Sequence, residues 1–118
     1  MDNRALGRRG EDAAAKALEK DGWTLLERNA RVRAGEIDIV AERRGVMGFV
    51  EVKARRSRRS GSPEEAVDAR KSDRVARAAA EYLSARGLAA ARRTFLVAAV
   101  DLDPGGNPVG VRLLPMQD

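Results

Sequence analysis

Cysteine and histidine are both absent from the 118 residues. Without cysteine there is no disulfide, no thiolate zinc site and no cysteine nucleophile. Without histidine the chain lacks the commonest general base and the commonest transition-metal ligand. Aromatics are scarce as well, with one Trp, one Tyr and two Phe. That leaves little for stacking bases, and no base-reading helix is recognisable, so sequence-specific recognition is not expected. No apolar run approaches the roughly 18 residues of a membrane span, and the N-terminal residues lack the apolar stretch of a signal peptide; a cytoplasmic protein with no membrane partner is expected. Catalysis, if any, must run on carboxylates, lysine, hydroxyls or a hard, oxygen-loving metal.

The hydrophobic content of 43% suits one domain over residues 1–118, with a modest core of Ala, Val, Leu and Ile. Such material fits a thin sheet covered by alanine-rich helices. Formal net charge is +5, and it is concentrated: between Arg28 and Arg59 ten basic residues face four acidic ones. A cluster of that kind favours a polyanionic partner, because each Lys or Arg that neutralises a phosphate releases condensed counterions. The plainer alternative is a solvated, arginine-rich surface.

Apolar residues at three- and four-residue spacing, Leu6, Ala13, Ala14, Ala17 and Leu18, predict a helix over 5–20 with Gly22 as its stop. Trp23 to Arg28 reads as a short edge strand closed by turn-prone Asn29. Glu36 to Val40 and Val46 to Lys53 read as a hairpin around Arg44-Gly45. A polar, mobile basic loop from Ala54 to Ser62 follows. Ser62-Pro63-Glu64-Glu65 has the form of a capping box. The helix after it carries an apolar stripe of Val67, Val75, Ala78, Ala79, Tyr82 and Leu83, with a break between Asp68 and Ser72 allowed and a stop at Gly87. Thr94 to Leu102 reads as a buried strand, and Val109 to Leu114 as a last short one beyond Pro104-Gly105-Gly106-Asn107-Pro108. The fold class is α/β, in the order α-β-β-β-α-β plus a short C-terminal strand.

Residues two apart on a strand share a face, so Glu36 goes with Asp38 and Glu51 with Lys53. A two-residue turn at Arg44-Gly45 sets a register that puts Asp38 opposite Glu51 and Glu36 opposite Lys53. Facing carboxylates repel, and a divalent cation relieves that repulsion. Mg2+ takes oxygen ligands and needs neither of the missing residue types. Lys53 would place positive charge where a phosphodiester transition state gathers negative charge. Alternating charges on a solvated strand, with Lys53 merely pairing Glu36 or Glu51, is the other interpretation. Arg55, Arg56, Arg58 and Arg59 would contact phosphate beside the site, with Lys71 and Arg74 on the next helix as further contacts.

Gly35-Glu36-Ile37-Asp38-Ile39-Val40-Ala41 followed by Phe49-Val50-Glu51-Val52-Lys53-Ala54-Arg55 resembles the signature of the YraN-like bacterial proteins of the PD-(D/E)XK nuclease superfamily. Those proteins in turn resemble Holliday-junction resolvases. The likeness extends through Gly7-x-x-Gly10-Glu11, Gly22-Trp23, Arg28-Asn29, Pro63-x-Glu65-Ala66-Val67 and Lys71, covering roughly residues 5 to 100. It implies a restriction-endonuclease-like domain with a mixed central sheet flanked by helices. It also implies Mg2+ or Mn2+ held by Asp38 and Glu51, the Val52 carbonyl completing the metal shell, and Lys53 as the motif lysine. Glu11 is identified by the resemblance alone, as a first-helix glutamate assisting the metal. One departure stands out: Leu96 follows Phe95 where the family usually carries aspartate.

The expected function is a metal-dependent endonuclease hydrolysing phosphodiester bonds in DNA, with branched or structured DNA implied by the resemblance. The alternatives are a catalytically inactive nucleic-acid-binding adaptor on the same fold and a protein-interaction domain. A small catalyst acting on a two-strand junction would fit a homodimer.

Overall fold

The computed structural model describes residues 3–56 and 69–116. Helix α1 spans Asn3–Lys20 and is followed by strands β1 (Thr24–Val32), β2 (Gly35–Arg43) and β3 (Val46–Arg55). Helix α2 is described over Ala69–Ala85, ahead of β4 (Arg92–Leu102) and β5 (Pro108–Pro115). The expected α/β order is present, with the short last strand as β5. The expected capping box at Ser62 and the N-terminal part of the second helix, Val67 included, lie outside the described residues.

The strands form one mixed sheet in the order β1-β2-β3-β4-β5. β3 and β4 run parallel, linked through α2, and the other neighbours are antiparallel. Buried on both faces, β4 must be apolar throughout its middle, and Val97, Ala98, Ala99 and Val100 are all buried. One face packs against α1 through Ala14, Leu18, Ile39, Val50, Ala98 and Val100. The other packs against α2 through Val40, Phe49, Val75, Ala79, Tyr82 and Leu83. Phe49 anchors the second layer, with the Tyr82 and Phe95 rings each 5.9 Å away. Leu96 is partly buried against the α1 layer and adds an apolar contact there.

Helix ends follow the sequence signals. Gly22 and Gly87 take φ of 91° and 71°. The following residues fold back, Trp23 N–H donating to the Leu18 carbonyl and Leu88 N–H to the Leu83 carbonyl. In the β2–β3 turn both central residues have positive φ, 53° at Arg44 and 79° at Gly45, as a two-residue hairpin of this twist requires.

The first strand departs from expectation. It runs four residues beyond Arg28, and Asn29 lies within it instead of ending it. Asn29 adopts a left-handed φ of 55°, which a short polar side chain tolerates, while Arg28↔Ile39 and Ala30↔Ile37 pair on either side. A bulge at Leu26 gives the strand a second irregularity.

Candidate active site

The β2–β3 register is the one the turn predicts, with Arg43↔Val46 through Ile39↔Val50 paired. The ladder then stops. Beyond Val50 the Asp38 Oδ2 accepts a hydrogen bond from the Val52 backbone N–H at 2.8 Å, so a side chain stands in for the missing backbone partner. Strict alternation also fails here: Ile37 packs in the α2 layer and Ile39 in the α1 layer, although two-residue spacing should put them on one face. The switch falls at Asp38, opposite the left-handed Asn29. β1 and β2 stay paired across the switch, whereas the β2–β3 pairing ends at Ile39↔Val50, and there the Asp38 carboxylate bonds the β3 backbone.

The four polar residues therefore do not emerge as one ladder patch. Glu36 is paired with Arg31 of β1, its carboxylate 3.5 Å from the guanidinium, and not with Lys53. Asp38, Lys53 and Glu11 line an open cleft of about 350 Å³ together with Leu6, Gly7, Val52 and Ala54. Helix α1 reaches the site because Gly10 lets it approach: a Cβ there would stand 2.8 Å from Ala54 Cβ. Glu11 follows directly, accepting a hydrogen bond from Asn29 Nδ2 at 3.2 Å, with the Arg28 guanidinium 3.6 Å away.

Glu51 is only 4% exposed, and its Oε1 lies 2.5 Å from Arg74 Nη2. Burial pushes its carboxyl up to about 7, and the adjoining Asp38 carboxylate pushes the same way against Arg74 and Lys71. Burial likewise lowers Lys53, helped by the nearby Lys71 ammonium and opposed by Glu51 and Asp38. Glu11 is raised by burial, by Asp38 and more weakly by Glu36, with Asn29 and Arg28 opposing. Alternating like and unlike charges within one half-buried cluster is uncommon for a purely structural surface and common where protons or phosphates are handled.

Asp38, Glu51, Lys53, Glu11 and Lys71 thus share one electrostatic cluster. Arg74 does not stand ready for phosphate: besides Glu51, its Nη1 donates to the Glu36 carbonyl at 3.1 Å, fastening α2 to the sheet. Arg56 is exposed at the end of β3, and Arg55 is half-buried. Arg58 and Arg59 lie outside the described residues. Asn29 is the site residue that motif reasoning passed over as a turn former; its one sequence signal was its place beside Arg28 in the family resemblance.

Among the described residues no three acidic side chains converge closely enough to enclose a metal by themselves. The pair of Asp38 and Glu51 suits a hard cation on other grounds. Both donors are carboxylate oxygens, and after burial it is the Asp38 carboxylate that raises Glu51, a repulsion that a divalent ion would relieve. Val52 lies between them and Lys53, so its carbonyl belongs to the same short stretch of backbone.

Comparison with known proteins identifies the family. The model of "Uncharacterised protein family UPF0102" matches residues 10–100, which span β2, β3 and every acidic residue of the site. A UPF0102 protein of Symbiobacterium thermophilum is 46% identical over 105 residues, 89% of each chain. Another from Moorella thermoacetica is 46% identical over 114 residues, 97% of this chain and 95% of its own. A third, from Syntrophomonas wolfei, reaches 53% identity over 81 residues, 69% of this chain and 70% of its own. The chain that brings Asp38 and Glu51 together where β2 and β3 part therefore belongs to the UPF0102, or YraN-like, family.

Proposed function

We propose that this protein is a Mg2+- or Mn2+-dependent endonuclease acting on DNA, branched or otherwise structured DNA included. The observation that carries the reading is the Asp38–Glu51 pair. A buried Glu51 carboxyl, raised to about 7 by burial and by Asp38, stands behind a cleft that Asp38 lines together with the half-buried Lys53. Asp38 and Glu51 would hold the ion, with the Val52 carbonyl and Glu11 completing its surroundings. Such an ion supplies Lewis-acid polarisation of a phosphate oxygen and lowers the pKa of water, so the absence of histidine is no obstacle. The Val52 N–H keeps Asp38 in one orientation. Lys53 presents its charge to the phosphate side of the cleft, where negative charge grows during displacement. Lys71 adds to that field, and Arg74 holds Glu51 in place.

The test is cleavage of duplex, single-stranded and four-way-junction DNA by the purified chain with Mg2+ or Mn2+. Cleavage should fall at least ~100-fold in Asp38→Ala and Glu51→Ala, a loss of ~2.7 kcal/mol or more of transition-state stabilisation, with circular dichroism unchanged. No cleavage of any substrate with either metal sinks the enzyme reading. The ion pair between Arg74 and Glu51 favours one second reading, an adaptor that keeps the fold and binds without cutting. Salt-sensitive binding that survives both carboxylate substitutions, with no thermal shift from Mg2+, would select the adaptor.

A further inference from the structure

Helix α1 carries Arg4, Arg8 and Arg9 in its first two turns, and no acidic residue in the first turn. Positive charge at a helix N-terminus opposes the macrodipole, so stability does not account for the pattern. Gly7, Ala14 and Leu18 lie on one side of the helix by its 3.6-residue period. Ala14 and Leu18 are 0% exposed, yet Gly7 is exposed, and a Cβ built on it would meet nothing within 4 Å. The start of the helix stays seated through Leu6, which packs against the α1-side core, and it forms one wall of the cleft, with Leu6 and Gly7 lining it beside Glu11, Asp38 and Lys53. Arg4 sits one turn ahead of Gly7 and two ahead of Glu11 on the same side, and Arg8 flanks it. Both arginines are exposed and form no ion pair among the described residues, whereas Arg9 is turned away to Asn107 Oδ1 at 2.9 Å. Exposed Arg56 stands at the end of β3 just beyond Ala54.

We propose that the start of α1 is one arm of a nucleic-acid backbone clamp: Arg4 and Arg8 beside the helix wall of the cleft, with Arg56 at the end of β3, hold DNA phosphates at the cleft. The clamp faces away from the β2–β3 turn, and the exposed arginines of that far end, Arg44 and Arg92, take no part in it. It deepens the proposed function by naming what grips the substrate, and it rests on DNA being that substrate. Its chemistry is bidentate guanidinium to phosphate, which positions a strand without reading sequence.

Fluorescence anisotropy of a labelled duplex and a four-way junction, in EDTA and across 50–250 mM KCl, tests it without cleavage. Loss of two phosphate contacts should flatten the slope of log K against log salt by about 1.8 in Arg4→Ala/Arg8→Ala. Affinity at low salt should fall about tenfold or more. Arg44→Gly/Arg92→Ala removes the same charge at the far end, glycine suiting the left-handed φ at residue 44, and should leave the slope as in the unaltered protein. An unmoved slope in the α1 variant, or an equal loss in the far-end variant, overturns the clamp, as does absence of binding by the unaltered chain. Failure to cleave with metal while the slopes shift as stated overturns the nuclease reading and leaves the clamp standing.

Discussion

At Glu51 the fold holds a carboxyl that is 4% exposed against the Asp38 carboxylate. Its pKa is raised from 4.5 to about 7, so the folded state binds this proton more tightly than the unfolded one. The stability from protonated Glu51 is complete below about 4.5 and is lost as pH rises through about 7. Glu51→Gln should therefore leave Tm nearly unchanged at pH 4.5 and raise it at pH 8, by something on the order of 5 °C. Equal shifts at both pH values, by calorimetry, would contradict this. Asn29 offers a second test, since it combines a left-handed backbone with a hydrogen bond to Glu11. Asn29→Gly keeps the backbone and removes the amide, so stability should hold while metal-dependent cleavage falls roughly tenfold, as for an outer hydrogen-bond partner of a metal site. Asn29→Ala should lose the same activity and also about 1 kcal/mol of stability, because alanine lacks the short polar side chain that makes the left-handed region tolerable to asparagine.

Among the elements, α1 has the most demanding seat, because its crossing of β3 depends on Gly10. A methyl there would stand 2.8 Å from Ala54 Cβ, and neither atom can swing aside. Gly10→Ala should cost roughly 1–3 kcal/mol in urea unfolding, even though alanine is the better helix former. Removing the opposing methyl in Gly10→Ala/Ala54→Gly should recover part of that loss; additive penalties would show that the two positions do not touch. The C-terminal ends of the helices and the hairpin turn were legible in the residues because they depend on near neighbours: a glycine at a helix end, a glycine at a tight turn. The length of β1 was not. Asn29 scores as a turn former locally, and only pairing on both sides with Ile39 and Ile37 keeps it in a strand.

Over the whole molecule, the radius of gyration of 13.9 Å is close to the roughly 13.5 Å of a compact 118-residue domain. No helix among the described residues is long and apolar enough to cross a membrane. The site draws on α1, β2, β3 and α2 together, so a ligand bound there should stabilise the entire domain. If Mg2+ binds the native carboxylate pair alone, about 2.7 kcal/mol of stability is expected at a hundredfold excess over Kd. That corresponds to a rise in Tm on the order of 10 °C. Asp38→Asn should abolish the rise; a shift of equal size in that variant would place the ion elsewhere.

Residue order alone determined the α/β succession, the hairpin and its register, and the choice of Asp38, Glu51 and Lys53 as the residues to watch. Each of these depends on periodicity, turn chemistry or a local motif, which are properties of neighbouring residues. Tertiary structure decided what those residues meet. Strand alternation put Glu36 with Asp38, but the paired irregularity at Asn29 and Asp38 changes the face between Ile37 and Ile39, and Glu36 goes to Arg31. Arg74 has the composition of a phosphate contact, yet α2 packs so that its guanidinium fastens Glu51. The start of α1 walls the cleft because Gly10 lets the helix approach Ala54 of β3 closely. These outcomes depend on contacts between residues far apart in the chain, and no local pattern encodes the distance at which two elements come to rest.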